Sequence, residues 1–216
     1  MATYYKKWTK AEIREEIHAA MKQASALKES CLAAHNDLDL SEQGKQKRIS
    51  DLIDRMGACV RQHLNRAADM VQNMQNRLNA DAQLDAQRTG ESAHQLRVAN
   101  VMKTLELRSA AITKNEFAEL IQPIAFDLSA QQSISAAARA GGINSWKLGA
   151  WMAELYAPVI VRRTAIEQLH SLNEHLRSCW NGHDDFQSVT GYEADFVFST
   201  IETMLNHWND EMTEYH

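Results

Sequence analysis

Two Glu-x-x-His pairs have a spacing that could bind a metal ion. One pair is Glu15 with His18, and the other is Glu167 with His170. Di-iron helical bundles use two such pairs together with two further glutamates that face the bundle interior. Here Glu15 stands among charged neighbours, and no suitable extra pair of inward glutamates is apparent. We therefore interpret both pairs as surface residues and predict no metal site.

No other set of residues favours catalysis. The cysteines Cys31, Cys59 and Cys179 are far apart in sequence and form no Cys-x-x-Cys pair. A nucleophilic thiol needs an adjacent base, and a zinc site or disulfide framework needs closer cysteine spacing. The one Gly-Gly pair predicts a turn, and His183 with the two aspartates after it predicts a polar loop or helix cap. The sequence thus predicts a protein without enzyme activity, catalytic residues or cofactors.

The segment from residue 134 to residue 151 has the spacing of a helix-turn-helix. Such a unit needs a small residue where its helices cross, a turn glycine with positive φ, and apolar residues after the turn. These places are filled by Ala138, Gly142, Ile143, Leu148 and Trp151. We therefore expect a helix–turn–helix corner whose second helix begins at about Ser145.

This segment, SAAARAGGINSWKLGAW, resembles the Cro/repressor type of phage and prophage regulator. The resemblance continues into APVIVRRTAIEQL and covers residues 134–167, since such modules often place a helix that begins with Pro-Val after the recognition helix. It implies that the helix from Ser145 lies in the DNA major groove, with arginines on the phosphates. The DNA-binding residues implied in this way are Arg139, Asn144, Ser145, Trp146, Lys147, Arg162 and Arg163.

Capping boxes and apolar stripes predict the helices that must position this corner. Boxes that begin at Thr9, Thr113 and Thr190 predict three helix starts. A stripe of apolar residues from Ile49 to Leu78, spaced by three or four, predicts a long amphipathic helix. A further helix is expected from Ser92 with Leu96, Val101, Met102 and Leu105 inward, and the last helix is expected to place Phe196, Ile201, Leu205 and Trp208 inward.

Glycine and proline predict the breaks between these helices. We expect interruptions at Gly90, at Pro123, at the Gly141-Gly142 pair and at Pro158, which should separate two helices. The sequence therefore predicts an all-α fold. Residues 1–110 should form a long antiparallel helical hairpin, and residues 111–216 a compact bundle that contains the helix-turn-helix-like segment 134–152.

The charge is uneven along the chain. The whole chain carries −5, whereas residues 131–165 carry +3 and residues 166–216 carry −9. No apolar run approaches the roughly 20 residues of a membrane helix. The first residues also lack the apolar core of a signal peptide, and the cysteines suit a reducing compartment. We therefore expect a soluble cytoplasmic protein without a membrane partner.

Two functions remain open from the sequence. The first is a helical protein–protein interaction or assembly protein of phage or mobile-element origin. It could act in virion assembly, as an inhibitor of a host-defence complex or as an adaptor, and it would bind a protein partner or self-associate through the N-terminal hairpin as a homo-oligomer. The second is a dimeric transcriptional regulator that binds duplex DNA. We place interaction first, because Gly149 and Ala150 offer little to a base and the net charge of −5 opposes phosphate binding.

Overall fold

The chain forms eight α-helices in the part described by this computed structural model, residues 8–107 and 112–208. They are α1 (Lys10–His35), α2 (Glu42–Thr89), α3 (Ser92–Leu107), α4 (Lys114–Ile121), α5 (Gln131–Ala140), α6 (Ser145–Ser178), α7 (Phe186–Thr190) and α8 (Tyr192–His207). A 3-10 turn, Gln122–Ile124, follows α4. These residues contain no strand, which confirms the predicted all-α class. None of the described helices is long and apolar enough to cross a membrane.

Two of the predicted capping boxes are present. The Thr9 hydroxyl accepts a hydrogen bond from the Glu12 N–H at 3.2 Å, and the Glu12 carboxylate accepts one from the Thr9 N–H at 2.8 Å. Thr113 and Glu116 repeat this arrangement at the start of α4. Each box satisfies N–H groups that have no partner within the helix. Both helix starts were therefore predicted correctly from local sequence.

The break predicted at Pro158 is wrong, because Pro158 lies inside the continuous helix α6. A proline in a helix removes one N–H donor, here the partner of the Glu154 carbonyl. Pro158 and Glu154 are both exposed, so water can hydrogen-bond to that carbonyl. On either side of the proline, Tyr156 and Ala165 are buried and hold their turns of the helix in place. The Pro-Val-initiated helix implied by the resemblance is thus part of α6.

The third capping box is also wrong. Thr190 is the last residue of α7, and its hydroxyl donates to the Phe186 carbonyl at 2.7 Å. Helix α8 begins after Gly191, which has no side chain to act as a cap. The capping box lies earlier, where the Asp185 carboxylate accepts from the Ser188 N–H at 2.8 Å. The expectation of a helix cap just after His183 is confirmed there.

Two residues predicted to face inward are exposed. Leu96 is 64% exposed, because α3 buries the face that carries His94, Val101 and Leu105. Phe196 is 56% exposed, and its ring lies beside that of Tyr192, with centroids 6.1 Å apart. Both helices expose apolar residues at positions that the sequence pattern alone assigned to the core.

Contacts between residues divide the chain into two compact units. Unit 1 contains residues 1–77 and 165–216, and unit 2 contains residues 78–164. The boundary predicted near residue 110 lies within residues 108–111, outside the described part, and the units divide at other positions. Helices α2 and α6 each contribute residues to both units.

Within unit 1, α1 packs against α7 and α8. Its largest fully buried side chains include Trp180, Ile13, Ile17, Leu27 and Leu64. Polar pairs join its helices at the edge of this core: Glu16 meets His63 at 2.6 Å, and Asn173 donates to the Gln72 side chain at 2.7 Å. Burial of apolar side chains supplies most of the stabilisation of such a unit. The polar side chains at the edge of the core are hydrogen-bonded to each other.

Within unit 2, α3 packs against α5 around a single apolar cluster. The cluster contains Val101, Leu105, Phe117, Ile121, Ile124, Ile134, Ala138, Ile143, Leu148, Met152 and Tyr156. Its members come from α3 to α6, so the start of α6 is fixed by packing against three other helices. This placement positions the candidate site.

Candidate functional site

The corner between α5 and α6 is built on a glycine with positive φ. Gly142 has φ of 91°, a conformation that side chains disfavour. The Gly142 N–H donates to the Arg139 carbonyl at 3.0 Å, and the Ile143 N–H donates to the Ala138 carbonyl at 3.1 Å. This pair of bonds is a Schellman motif, which ends a helix and turns the chain sharply. The predicted glycine turn is therefore confirmed.

Asn144 caps the helix that follows. Its side-chain oxygen accepts hydrogen bonds from the Trp146 N–H at 2.9 Å and the Lys147 N–H at 3.4 Å. Because that oxygen already caps the helix, only the amide NH₂ group of Asn144 is left to bind an outside ligand. Ser145, Trp146 and Lys147 are exposed in the first turn of α6. Lys147 has no ion-pair partner in the described part of the chain.

The apolar positions of the predicted helix-turn-helix lie under this turn. Ala138, Ile143 and Leu148 are buried in the unit 2 core. Trp151 is half-buried, and its ring centroid lies 5.5 Å from that of Phe117 at an angle of 44°. The spacing of these residues thus predicted the local core correctly. Their packing holds the exposed turn in one position.

The three arginines expected on phosphates do not gather beside that turn. Arg139 is exposed at the end of α5, and its Nε donates to the Ser135 carbonyl at 3.2 Å. Arg162 is largely buried and forms an ion pair with Asp85. Arg163 is exposed but follows Lys147 by 16 residues, about 24 Å along the helix and about 160° around it. Among the arginines, only Arg139 lies beside the exposed turn in sequence.

An uncharged face of α6 extends from the exposed tryptophan. Trp146 is 86% exposed, and Ile160 is 45% exposed. Successive residues of an α-helix are rotated by about 100° around its axis, and six residues of α6 lie within one sector about 100° wide. They are Trp146, Gly149, Ala150, Ala153, Ala157 and Ile160, of which Ala157 is half-buried and the rest are exposed. We call this set the α6 apolar face; none of its members is charged.

A buried histidine–aspartate pair was missed by sequence reasoning. His94 and Asp127 are 5% and 6% exposed, and His94 Nε2 lies 2.9 Å from Asp127 Oδ2. Asp127 Oδ1 also accepts from the Ser129 N–H and hydroxyl and from the Ala130 N–H. Burial alone would raise the pKa of Asp127, but these hydrogen bonds outweigh it and lower the pKa. The partners are 33 residues apart, so no local spacing could have revealed them.

Tyr156 lies in the same core with an unpaired hydroxyl. The residue is fully buried, and its hydroxyl has no hydrogen-bond partner. Burial raises the pKa of Tyr156 to about 12, with a further contribution from the negative charge of Asp127. The hydroxyl therefore stays protonated at neutral pH.

The described residues hold no group of three or more His, Cys, Asp or Glu side chains that could bind a metal ion. His18, from one Glu-x-x-His pair, instead contacts Glu202 at 3.1 Å on the surface of unit 1.

Comparisons with protein-family models, curated proteins and solved structures give no match to this chain. Function is therefore inferred from the described surfaces alone.

Proposed function

We propose that this protein is a non-enzymatic helical interaction and assembly protein that binds a second copy of itself through the α6 apolar face. The observation that carries the proposal is the exposure of Trp146, of which 86% is accessible. Tryptophan is enriched among the residues that dominate protein interfaces, because one side chain removes a large apolar area from water.

The surface around Trp146 has the composition of a contact surface. From Trp146 to Ile160 the α6 apolar face runs for about 21 Å, at 1.5 Å per residue. Lys147 and Glu154 flank it without entering it. A contiguous uncharged surface with large residues at its ends is typical of an interaction site, whereas a single exposed apolar residue is not.

Gly149 gives a second reason for expecting a partner. Glycine inside a helix costs about 0.5–1 kcal/mol relative to alanine. A Cβ atom added to Gly149 would meet no atom of the described residues within 4 Å, so nothing in that part of the chain requires glycine at this position. A partner helix that approaches closely would require it.

The order of residue sizes on this face favours a second copy as that partner. Trp146 and Ile160 lie seven residues on either side of Ala153, and Gly149 and Ala157 lie four residues on either side. An antiparallel pair with its two-fold axis at Ala153 would place each Trp146 opposite an Ile160. The small residues would then face each other at the centre. A two-fold contact must be self-complementary in this way.

Self-association measured by sedimentation velocity tests the proposal. One helix face is smaller than a standard stable interface, so we expect a dimer that forms in the micromolar range. Ala153→Glu should abolish it, because two carboxylates would be buried at the axis. Ala99→Glu makes the same change at an exposed position of α3 and should leave the dimer intact. Trp146→Ala should weaken it by about tenfold or more.

Two results would contradict this proposal. One is a chain that stays monomeric at high micromolar concentration. The other is a dimer that survives Ala153→Glu, which would direct attention to the N-terminal hairpin or another surface.

Duplex DNA binding is the second candidate function. The observation that favours it is the Gly142 corner with Lys147 exposed just beyond it. A gel shift at low and moderate salt tests it. If this candidate is correct, duplex DNA shifts at low salt, the shift weakens as salt rises, and Lys147→Glu removes it. Lys103→Glu, the same charge change at an exposed position of α3, serves as the control.

A further inference from the structure

A cavity of about 280 Å³ lies at the turn between α2 and α3, within unit 2. Its polar wall is formed by Arg88, Glu91, His94 and Arg97, with Ala93 between them. Pro123 and Phe126 close the apolar side. We propose that this cavity binds a phosphoryl group of a small molecule, a role separate from the α6 apolar face.

The two arginines give the cavity its charge. Arg97 is exposed and has no ion-pair partner among the described residues. Arg88 Nη1 lies 3.7 Å from the Asp85 carboxylate, which also pairs with Arg162. Two arginines and one carboxylate, that of Glu91, line the cavity, and the Asp127 carboxylate behind His94 is occupied by its own hydrogen bonds. Arginine presents a fork of N–H donors that suits the oxygens of a phosphoryl group.

The start of α3, which contributes Ala93 and His94 to the lining of the cavity, carries backbone donors without partners. The N–H groups of His94 and Gln95 both donate to the Glu91 carbonyl. The N–H groups of Ser92 and Ala93, by contrast, have no hydrogen-bond partner in the described part of the chain. Unpaired N–H groups at the N-terminus of a helix attract anions, because the helix dipole places partial positive charge there.

His94 supplies an oriented group at the wall. Asp127 is held as a carboxylate by its hydrogen bonds, so it accepts from His94 and fixes the proton on Nε2. The ring packs beside Phe126, with centroids 4.9 Å apart. Nδ1 is therefore the nitrogen without a partner, and in neutral histidine it accepts a hydrogen bond.

This acceptor points to phosphate rather than sulfate. A phosphate group near neutral pH exists partly with a protonated oxygen, since its second pKa is about 6. That P–O–H can donate to Nδ1 while the remaining oxygens accept from Arg88 and Arg97. Sulfate has no such proton at neutral pH. The cavity thus combines donors for a charged oxyanion with one acceptor that suits its hydroxyl.

Isothermal titration calorimetry of the full chain with inorganic phosphate, at constant ionic strength, tests the proposal. We expect saturable binding that is tighter than the binding of sulfate. Arg97→Gln should weaken phosphate binding by about ten- to a hundredfold, the loss expected for a charge-assisted hydrogen bond. Lys103→Gln removes an exposed positive charge of the same unit and should leave it unchanged. Glycerol phosphate titrated in parallel shows whether an ester is preferred to the free ion.

Three results would overturn the assignment. The first is the absence of saturable phosphate binding. The second is an equal loss of affinity in Lys103→Gln, since the attraction would then be general rather than local. The third is sulfate binding as tight as phosphate binding, which would remove the role of Nδ1. Both variants change exposed side chains, and circular dichroism checks that each remains folded.

Discussion

The two compact units differ in net charge and in where their ion pairs lie. Unit 1 carries 14 Lys and Arg against 20 Asp and Glu, a charge of −6, whereas unit 2 carries nine against eight, a charge of +1. In unit 1, surface pairs such as Lys28 with Asp195 and Arg177 with Asp69 join one helix to another. In each of these pairs, both charged side chains belong to unit 1.

Unit 2 combines a buried ion pair with exposed groups that have no partner among the described residues. Trp146 is exposed, and Lys147 and Arg97 have no ion-pair partner in the described part of the chain. Its most buried ion pair, His94 with Asp127, lies in the interior beside the cavity. The ion pairs named in unit 1 thus lie at its surface, whereas the His94–Asp127 pair of unit 2 is buried.

The largest expected effect compares one ion pair from each unit. Asp127→Ala removes the partner of buried His94 and the acceptor for Ser129 and Ala130, so it should destabilise unit 2 by about 3–5 kcal/mol. Asp69→Ala breaks an exposed pair with Arg177 in unit 1 and should cost less than about 1 kcal/mol. Hydrogen–deuterium exchange of peptides from each unit measures both changes. Equal losses of stability in the two variants would contradict the proposed difference between the units.

A smaller effect separates the units by pH. Burial lowers the pKa of His175, in unit 1, below its ordinary value of 6.5. The unfolded chain then binds a proton more readily, so this contribution to stability is full above about pH 6.5 and is lost as pH falls through the folded pKa. The pKa of Asp127, in unit 2, lies below 3.8, so its contribution is lost only in stronger acid.

This pH dependence of unit 1 is measurable with one variant. Between pH 7 and pH 5, the opening of unit 1, measured as the exchange rate divided by the intrinsic amide rate at each pH, should increase in the natural chain and increase less in His175→Gln. A pH dependence in unit 1 that persists fully in His175→Gln would assign it to another group.

The smallest expected effect concerns the unpaired hydroxyl in the core of unit 2. Tyr156→Phe removes a buried hydroxyl that has no hydrogen-bond partner. Because such a group loses its water without compensation, the variant should be as stable as the natural chain or more stable by up to about 1 kcal/mol. Urea unfolding followed by circular dichroism measures the change. A loss of more than about 1 kcal/mol would show that the hydroxyl has a partner.

Local sequence predicted the helices well where the deciding interactions are local. The capping boxes at Thr9 and Thr113 and the turn at Gly142 each depend on residues within five positions. Prediction failed at Pro158, where burial on both sides keeps α6 continuous. It failed again at Thr190, which offers the same capping pattern but lies at the end of α7. Neighbouring elements decided both cases.

The candidate sites divide in the same way. The sequence by itself determined the all-α class, the glycine corner and the uncharged residues that follow it, because helix propensity and turn geometry act over a few residues. Only the tertiary structure placed Trp146 on an open surface and brought His94 to Asp127 beside the cavity. Burial and pairing over 33 residues depend on how the helices pack, and helical periodicity does not specify which faces meet.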